Sequence, residues 1–272
     1  MKIKILLIVG FTLFFVKLTF FSDQPAPRKT ASPCPPATEP FPSYDETFAP
    51  TMRWCLENPH GRVFQLSQNY GEARKETGEQ LPWKQIARTP DEFKTKWREY
   101  LFAVLNYAYE GNLETDWLVQ ENAKRKWFHA PWMHAGVTGR EFLRGLTVER
   151  PSCAKELIEG KICDDEKLPI ENWAVSVYNE PGAFYIGQVW TEMLKRKPNP
   201  KNFPAAGFPE GTVAIKLLFT QAEPDYLKNS VSWQADIYRG KMLPQTVRLL
   251  QIDVSVRDDV SPTGWVFGTF IY

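Results

Sequence analysis

The stretch from Trp127 to Glu149 holds the densest group of reactive side chains in the sequence. It contains His129 and His134, two of the three histidines of the chain, with Trp132 between them. Imidazole nitrogens bind metals or haem iron and transfer protons near neutral pH. We therefore expect this stretch to form a loop that faces a ligand or a cofactor.

The spacing of the two histidines leaves two interpretations open. His129 and His134 are five positions apart, so they would not share one face of a helix. A loop bent at Pro131 could still bring both imidazoles to one ligand. The alternative is a buried loop whose histidine and arginine side chains bind backbone carbonyls.

Charged side chains follow in the same stretch. Arg140 and Arg144 are one helical turn apart, and either could pair with Glu141 or bind an anion. Arg140 and Glu141 are therefore also candidates for the pocket.

A further candidate, Lys216, lies in a predicted strand at 212–219. The apolar side chains of this strand alternate, and one face carries Val213, Ile215, Leu217 and Phe219. Lys216 belongs to the other face, beside Ala214 and Leu218. Either its aliphatic stem carries the ammonium group to water, or the amine has a chemical role.

A helix is predicted at 89–110, upstream of these candidates. Thr89 is a good N-cap, Pro90 suits the first helical position, and Glu92 completes a capping box. Gly111 is placed to end the helix. Its apolar stripe predicts packing against a core.

The second half of the chain predicts a sheet. Strands are expected at 173–179, 247–256 and 265–272, with a turn at 180–182 and a short helix at 186–194. The predicted fold class is α+β, with N-terminal helices packed on an antiparallel sheet.

The strand predicted at 247–256 has two distinct sides. Leu250 and Ile252 are expected on one side, whereas Leu249, Gln251 and Asp253 line the other. The last strand, 265–272, is apolar on both faces, which is typical of a central strand.

The N-terminal segments predict export. Residues 1–22 combine a basic start with an apolar run, which indicates a signal peptide or a membrane anchor. Residues 23–50 are rich in proline and predict an extended linker. Residues 51–272 are expected to form a single domain in the periplasm or on the outer face of the inner membrane. Because the last predicted strand would be buried on both faces, we expect a C-terminal segment to be missing; an edge strand under a helix is the alternative.

Four cysteines, Cys34, Cys55, Cys153 and Cys163, favour disulfides in an exported chain. Three pairings are possible, and sequence proximity favours Cys34 with Cys55 and Cys153 with Cys163. Unpaired thiols are the alternative. The sequence has no C-x-x-C spacing, so we expect no thiolate metal site.

The charge balance excludes one class of partner. The chain has 33 Lys and Arg residues against 32 Asp and Glu residues. A general nucleic-acid binder usually carries a basic excess, so we expect no nucleic-acid partner. The expected partners are the membrane, through the N-terminal segment, and a redox partner or a small-molecule ligand.

Two motifs carry a resemblance to a known family. Residues 208–216 read Phe-Pro-Glu-Gly-Thr-Val-Ala-Ile-Lys, and residues 264–270 read Gly-Trp-Val-Phe-Gly-Thr-Phe. Both segments resemble exported bacterial c-type cytochromes whose haem is cross-linked to a lysine. Residues 127–150 and 172–190 are similar to larger bacterial proteins of that kind.

The resemblance implies a haem-related redox protein. Lys216 matches the motif lysine by its place after Pro-Glu-Gly, and His129 or His134 would contribute to the haem pocket. The relatives carry a C-x-x-C-H haem-attachment site after the last strand, and this sequence has none. The resemblance therefore implies that the haem-attachment segment is absent and that this form is redox-inert.

The runner-up function is a carbohydrate-binding protein or hydrolase of the cell envelope. Trp127, Trp132 and Trp173 would then be stacking platforms, and Glu141 or Glu180 would supply carboxylates. A pure interaction domain is the third interpretation. The sequence leaves open whether the chain is an enzyme.

Overall fold

A computed structural model describes part of the chain. It covers residues 2–9, 12–19, 70–75, 81–117, 119–130, 134–135, 139–140, 147–153, 156, 170–190, 199–222, 227, 229–238 and 242–271. Predictions for the linker at 23–50 and for Cys34, Cys55, Trp132, Glu141 and Cys163 lie outside the described residues.

The described residues form eleven β-strands. They are β1 Lys2–Val9, β2 Thr12–Thr19, β3 Trp127–His129, β4 His134–Ala135, β5 Gly139–Arg140, β6 Thr147–Ser152, β7 Ile170–Asn179, β8 Val213–Thr220, β9 Ser232–Tyr238, β10 Met242–Arg257 and β11 Trp265–Ile271. Nine of these strands form one sheet in the order β2-β1-β11-β10-β8-β7-β3, with β6 on β7 and β9 on β10. Strands β4 and β5 pair separately.

Helices accompany the sheet. The described α-helices are α1, Pro90–Tyr109, and α2, Glu180–Val189. Short 3-10 helices lie at Tyr70–Glu72, Pro82–Gln85, Val119–Glu121 and Pro200–Asn202. Every strand pairing in the main sheet is antiparallel, so the predicted α+β class is confirmed.

Helix α1 begins and ends where the sequence predicts. The Thr89 side chain accepts a hydrogen bond from the Glu92 backbone N–H (3.2 Å), as a capping residue should. The Glu92 carboxylate accepts from the Arg88 N–H (2.8 Å), one residue earlier than a capping box predicts. Gly111 follows the helix with a φ of +79°, a conformation that glycine adopts without strain.

One face of the sheet, here called the first face, packs against α1. Side chains of Tyr100, Leu101 and Val104 on α1 share a continuous buried core with the strand residues. Burial of this apolar surface is the main term that holds helix and sheet together. Four tryptophans are almost completely enclosed in the core: Trp83, Trp117, Trp173 and Trp233.

A bulge in β10 corrects one prediction about its faces. Leu249 pairs with Phe219 and Gln251 pairs with Leu218, so Leu250 is an extra residue in the ladder. The extra residue shifts the alternation, because Leu249 packs on the core before the bulge and Ile252 lies in the core after it. The expectation that Leu250 lies on the same side as Ile252, and Leu249 on the opposite side, is therefore wrong.

The turn predicted at 180–182 is also wrong, because α2 begins there. The Asn179 side chain caps the helix by accepting a hydrogen bond from the Gly182 N–H (3.3 Å). Pro181 occupies the first helical turn, where its missing N–H costs nothing. Proline and glycine resembled a turn, but after an asparagine cap they start a helix.

The N-terminal residues are described as two strands. Strand β1 pairs with β11 and with β2, so β11 has a neighbour on each edge. One face of β11 is buried and Phe267 on the other face is 46% exposed, so the expectation of a strand buried on both faces is wrong. Within the described part of the chain, no helix has the length and apolarity needed to cross a bilayer. The signal peptide or membrane anchor at 1–22 stays a prediction.

Candidate functional site

The second face of the sheet, opposite α1, brings polar residues of four strands into register. Asp253 on β10 pairs with Thr269 on β11 and with Lys216 on β8. Lys216 in turn pairs with Ser176 on β7. Their sequence neighbours on each strand point to the buried core, so these four side chains share the second face. We call Thr269, Asp253, Lys216 and Ser176 the polar row.

Asp253 is the best-positioned acceptor of the polar row. Its Oδ1 atom accepts hydrogen bonds from Thr269 Oγ1 (2.7 Å) and from Gln251 Nε2 (2.8 Å). These two donors fix the orientation of the carboxylate. The second oxygen, Oδ2, has no hydrogen-bond or ion-pair partner among the residues that the structure describes. Asp253 therefore presents a fixed and unused acceptor on a half-buried surface.

Lys216 pairs with the end of the stretch that the sequence singled out. Its Nζ lies 2.7 Å from Glu149 Oε1 on β6, and the two side chains are 34% and 33% exposed. The ammonium group can make further hydrogen bonds, because an ion pair with one oxygen uses one of its three N–H donors. The structure thus joins two regions that the sequence treats separately.

Aromatic rings border the polar row. Tyr178 stacks on Phe208 with ring centroids 5.8 Å apart, and Phe208 meets the edge of Trp265 at 5.8 Å. Trp265 and Phe267 are nearly parallel, 6.3 Å apart, and Phe267 is 46% exposed. We call these four residues the aromatic border. Burial raises the pKa of the Tyr178 phenol, so this ring stays neutral at physiological pH.

The register places the aromatic border one step from the polar row. Phe267 pairs with Ser255, and Ser255 pairs with Ala214, which lies opposite Tyr178. This line of residues is two positions along each strand from the polar row. An exposed ring, small hydroxyl groups and a charged acceptor therefore line one continuous strip of the sheet.

The other predicted site residues lie elsewhere. His129 is 3% exposed and pairs with Val177, which places it on the first face, away from Lys216. His134 pairs with Arg140 in the separate two-stranded sheet. The structure therefore does not bring His129 into the strip that holds Lys216.

Two of the tryptophans proposed as sugar platforms are not available. Trp127 and Trp173 are 4% and 0% exposed, and both belong to the buried core. Their role as stacking surfaces is a wrong prediction, because rings enclosed by α1 cannot contact a ligand. Glu180 lies at the start of α2, with its Oε1 4.0 Å from Arg74 Nε. It is not in the polar row.

Cys153 is disulfide-bonded. The other three cysteines lie outside the described residues, so its predicted pairing with Cys163 stays a prediction. The bond itself agrees with the expectation that an exported chain forms disulfides.

Sequence reasoning placed Asp253 and Gln251 on the outer side of β10 but did not identify them as a site. The missing information was the register, because only strand pairing shows that Asp253 meets Thr269 and Lys216. Alternating polar residues on several apolar strands are the one signal that could have indicated a shared strip.

Comparison with known proteins identified no relative of this chain. No protein-family model, curated protein or solved structure matches this chain. Among the described residues, no group of three or more His, Cys, Asp or Glu side chains is arranged to hold a metal ion. Haem binding, which the resemblance implies, stays a prediction.

Proposed function

We propose that the chain is an exported binding protein that holds a saccharide on the second face of its sheet. The observation that carries the proposal is the unused Oδ2 acceptor of Asp253, fixed beside the aromatic border. A carboxylate held by two internal donors needs little reordering when it accepts a hydrogen bond from a ligand.

The chemistry of the strip matches that of a sugar ring. A pyranose has hydroxyl groups around its edge and a C–H face that packs on aromatic rings. Asp253 can accept from hydroxyls, whereas Lys216 can donate to them. Phe267 and Trp265 supply an apolar surface beside these groups. The binding sites of small molecules commonly combine apolar walls with a few fixed polar groups.

Charge also favours a polyol over a strongly anionic ligand. The strip contains the carboxylates of Asp253 and Glu149 and the ammonium of Lys216. Arg257, at the far end of the strip, already donates to Asp259 and to the Gly264 carbonyl. One negative charge remains after the ion pairs are counted, so a neutral ligand with many hydroxyl donors fits best.

The disulfide of Cys153 supports the exported location in this proposal. Disulfides persist mainly in oxidising compartments such as the periplasm. The proposed ligand is therefore a glycan of the cell envelope.

A fluorescence titration tests the proposal. We would add chitotetraose, cellotetraose and a soluble peptidoglycan fragment to the full chain and follow tryptophan emission. Binding on the second face should change the emission of Trp265, so the response should shrink in Trp265→Phe and survive in Trp233→Phe, a buried core control. No response to any of the three sugars, or a response that persists in Trp265→Phe, would count against the second face.

A further inference from the structure

A cluster on the other side of the molecule has the geometry of a reactive pair. Lys84, in the 3-10 helix Pro82–Gln85, lies with its Nζ 2.6 Å from Oδ1 of Asp258, 174 positions further along the chain. Asp258 follows β10, and its side chain is completely buried. The Lys84 side chain is 25% exposed. A primary amine and a carboxyl group are thus held in contact with little water around the acid.

Three further groups complete the cluster. Glu210 Oε1 lies 2.5 Å from the same Lys84 Nζ, and its side chain reaches solvent at 43% exposure. The Tyr100 hydroxyl donates a hydrogen bond to Asp258 Oδ2 (2.7 Å), and the Val260 N–H donates to Oδ1 (2.9 Å). The acid is therefore fixed from both sides, and the amine touches a second carboxylate that can take a proton.

We propose that Lys84 and Asp258 condense into an intramolecular amide bond. Glu210 takes a proton from the Lys84 ammonium, and the neutral Nζ attacks Cγ of Asp258. The N–C bond forms, the C–Oδ1 bond breaks, and Oδ1 leaves as water with two protons that came from Nζ, one of them through Glu210. Oδ2 stays as the amide carbonyl oxygen. No oxidant or activated ester is needed, since one ammonium and one carboxylate give one amide and one water.

Each neighbour has a defined part in this step. The Tyr100 O–H points at Oδ2, where negative charge develops when the amine attacks, and a fixed donor at that position stabilises the intermediate. Glu210 acts as the general base and then as the acid. Because the fold holds the amine and the carboxyl group together, a bimolecular reaction becomes an intramolecular one. The effective molarity of one group at the other reaches roughly 10⁵ M or more in well-oriented cases.

Lys84 is charged in its resting form, so the reaction is slow. Burial lowers the pKa of Lys84, but the hydrogen bonds and charges of Asp258 and Glu210 raise it more, and the pKa lies above its ordinary value. The charged ammonium is therefore the major form of Lys84, and the amide forms from its minor neutral form. Because Asp258 is enclosed, water has little access to reverse the reaction.

Intact mass spectrometry of the full chain tests the amide. After folding, prolonged incubation, and then reduction and denaturation, the chain should weigh one water molecule less than its sequence requires. A tryptic digest should contain one branched peptide that joins the segments around Lys84 and Asp258, with no cleavage after Lys84. A full sequence mass, with separate linear peptides, would overturn the proposal.

Variants of Lys84, Glu210 and Asp258 test the role of each residue in amide formation. Lys84→Arg keeps the positive charge and should lose the linkage completely. Glu210→Gln keeps the Lys84–Asp258 contact and an exposed side chain, so it should fold but form the linkage at least tenfold more slowly. Asp258→Asn should still form the amide, now with loss of one ammonia. An equal rate in Glu210→Gln, or any linkage in Lys84→Arg, would contradict the assignment.

Discussion

Asp253 and Lys216 lie directly opposite each other on neighbouring strands, yet Lys216 forms its ion pair with Glu149. Opposite charges in this position usually pair across the strands. Because Glu149 takes the ammonium, one oxygen of Asp253 keeps no partner among the described residues. The polar row thus retains an acceptor that a Lys216–Asp253 ion pair would have used, and the proposed binding function depends on that.

Removing the Glu149 charge should weaken saccharide binding. In Glu149→Gln the Lys216 ammonium loses its partner and should turn to Asp253, which would occupy the free acceptor. We expect affinity to fall about tenfold, while stability changes by less than about 1 kcal/mol, as is usual for an ion pair at the protein surface.

A double variant provides the control for that prediction. Replacing Lys216 by Met in the Glu149→Gln background frees Asp253 again, so part of the lost affinity should return. Calorimetric titration and thermal unfolding of the three proteins would measure both effects. Affinity that is unchanged in Glu149→Gln would show that the Glu149–Lys216 pair does not protect the acceptor.

Replacing the buried Asn179, at the start of α2, should destabilise the protein more than replacing an exposed helix cap. Its side chain accepts from the Gly182 and Val213 N–H groups and donates to the Gly211 carbonyl, all inside the protein. Asn179→Ala leaves these groups without partners and should cost about 3 kcal/mol of unfolding free energy. Asn199→Ala, an exposed cap of a 3-10 helix, should cost less than about 1 kcal/mol in the same urea titration. Equal losses would mean that burial of the Asn179 network contributes nothing.

Gly111 and Gly207 have nearly equal φ, so their alanine variants distinguish the cost of backbone strain from the cost of steric overlap. Gly111 has φ +79° and a Cβ there would lie 2.0 Å from Asn122 Oδ1, whereas Gly207 has φ +77° and nothing within 4 Å. Gly207→Ala should cost about 1 kcal/mol from the left-handed backbone alone. Gly111→Ala should cost about 2 kcal/mol more, because Asn122 must move.

Chemical denaturation of the two glycine variants measures this difference. The Asn122 side chain holds the Glu110 carbonyl (2.9 Å) and the Lys124 N–H (2.8 Å), so its displacement also breaks hydrogen bonds. Matching losses in both variants would show that the turn after α1 yields to the added methyl group.

The stability of the protein should fall between pH 10 and pH 12 partly because of Tyr107. Burial raises the pKa of Tyr107 to about 12, against an ordinary value of 10.0. The unfolded chain releases the phenol proton first, so the stabilisation is complete below pH 10 and is lost as pH rises toward 12. Tyr107→Phe should reduce this loss by roughly 2 kcal/mol in urea titrations across that range. An unchanged pH slope would contradict the assignment.

Local sequence patterns correctly predicted the structural features that depend on neighbouring residues. The cap at Thr89, the stop at Gly111 and the alternation around Lys216 each depend on residues within a few positions, and the structure confirms all three. The start of α2 at Glu180, six residues before the predicted start at 186, was missed because the same Pro-Gly pair fits a turn. Only the hydrogen bonds of Asn179 decide between the two.

The candidate site could not be predicted because it depends on register. Asp253 meets residues 16 and 37 positions away in sequence, Thr269 and Lys216, through strand pairing alone. The bulge at Leu250 also reverses which side of β10 faces the core before it, and no local pattern marks it. Of the described residues between Trp127 and Glu149, Glu149 lies in the strip, whereas His129 lies on the first face.

Calorimetric titration of Asp253→Asn with the saccharide that binds the full chain most tightly tests the central claim. The substitution keeps the shape and one carbonyl oxygen, but the other position becomes an N–H donor that cannot accept from a hydroxyl. We expect affinity to fall at least about tenfold, while Glu99→Gln, an exposed acid on α1, binds as the wild type does. Wild-type affinity in Asp253→Asn would show that the ligand is not held at this face of the sheet.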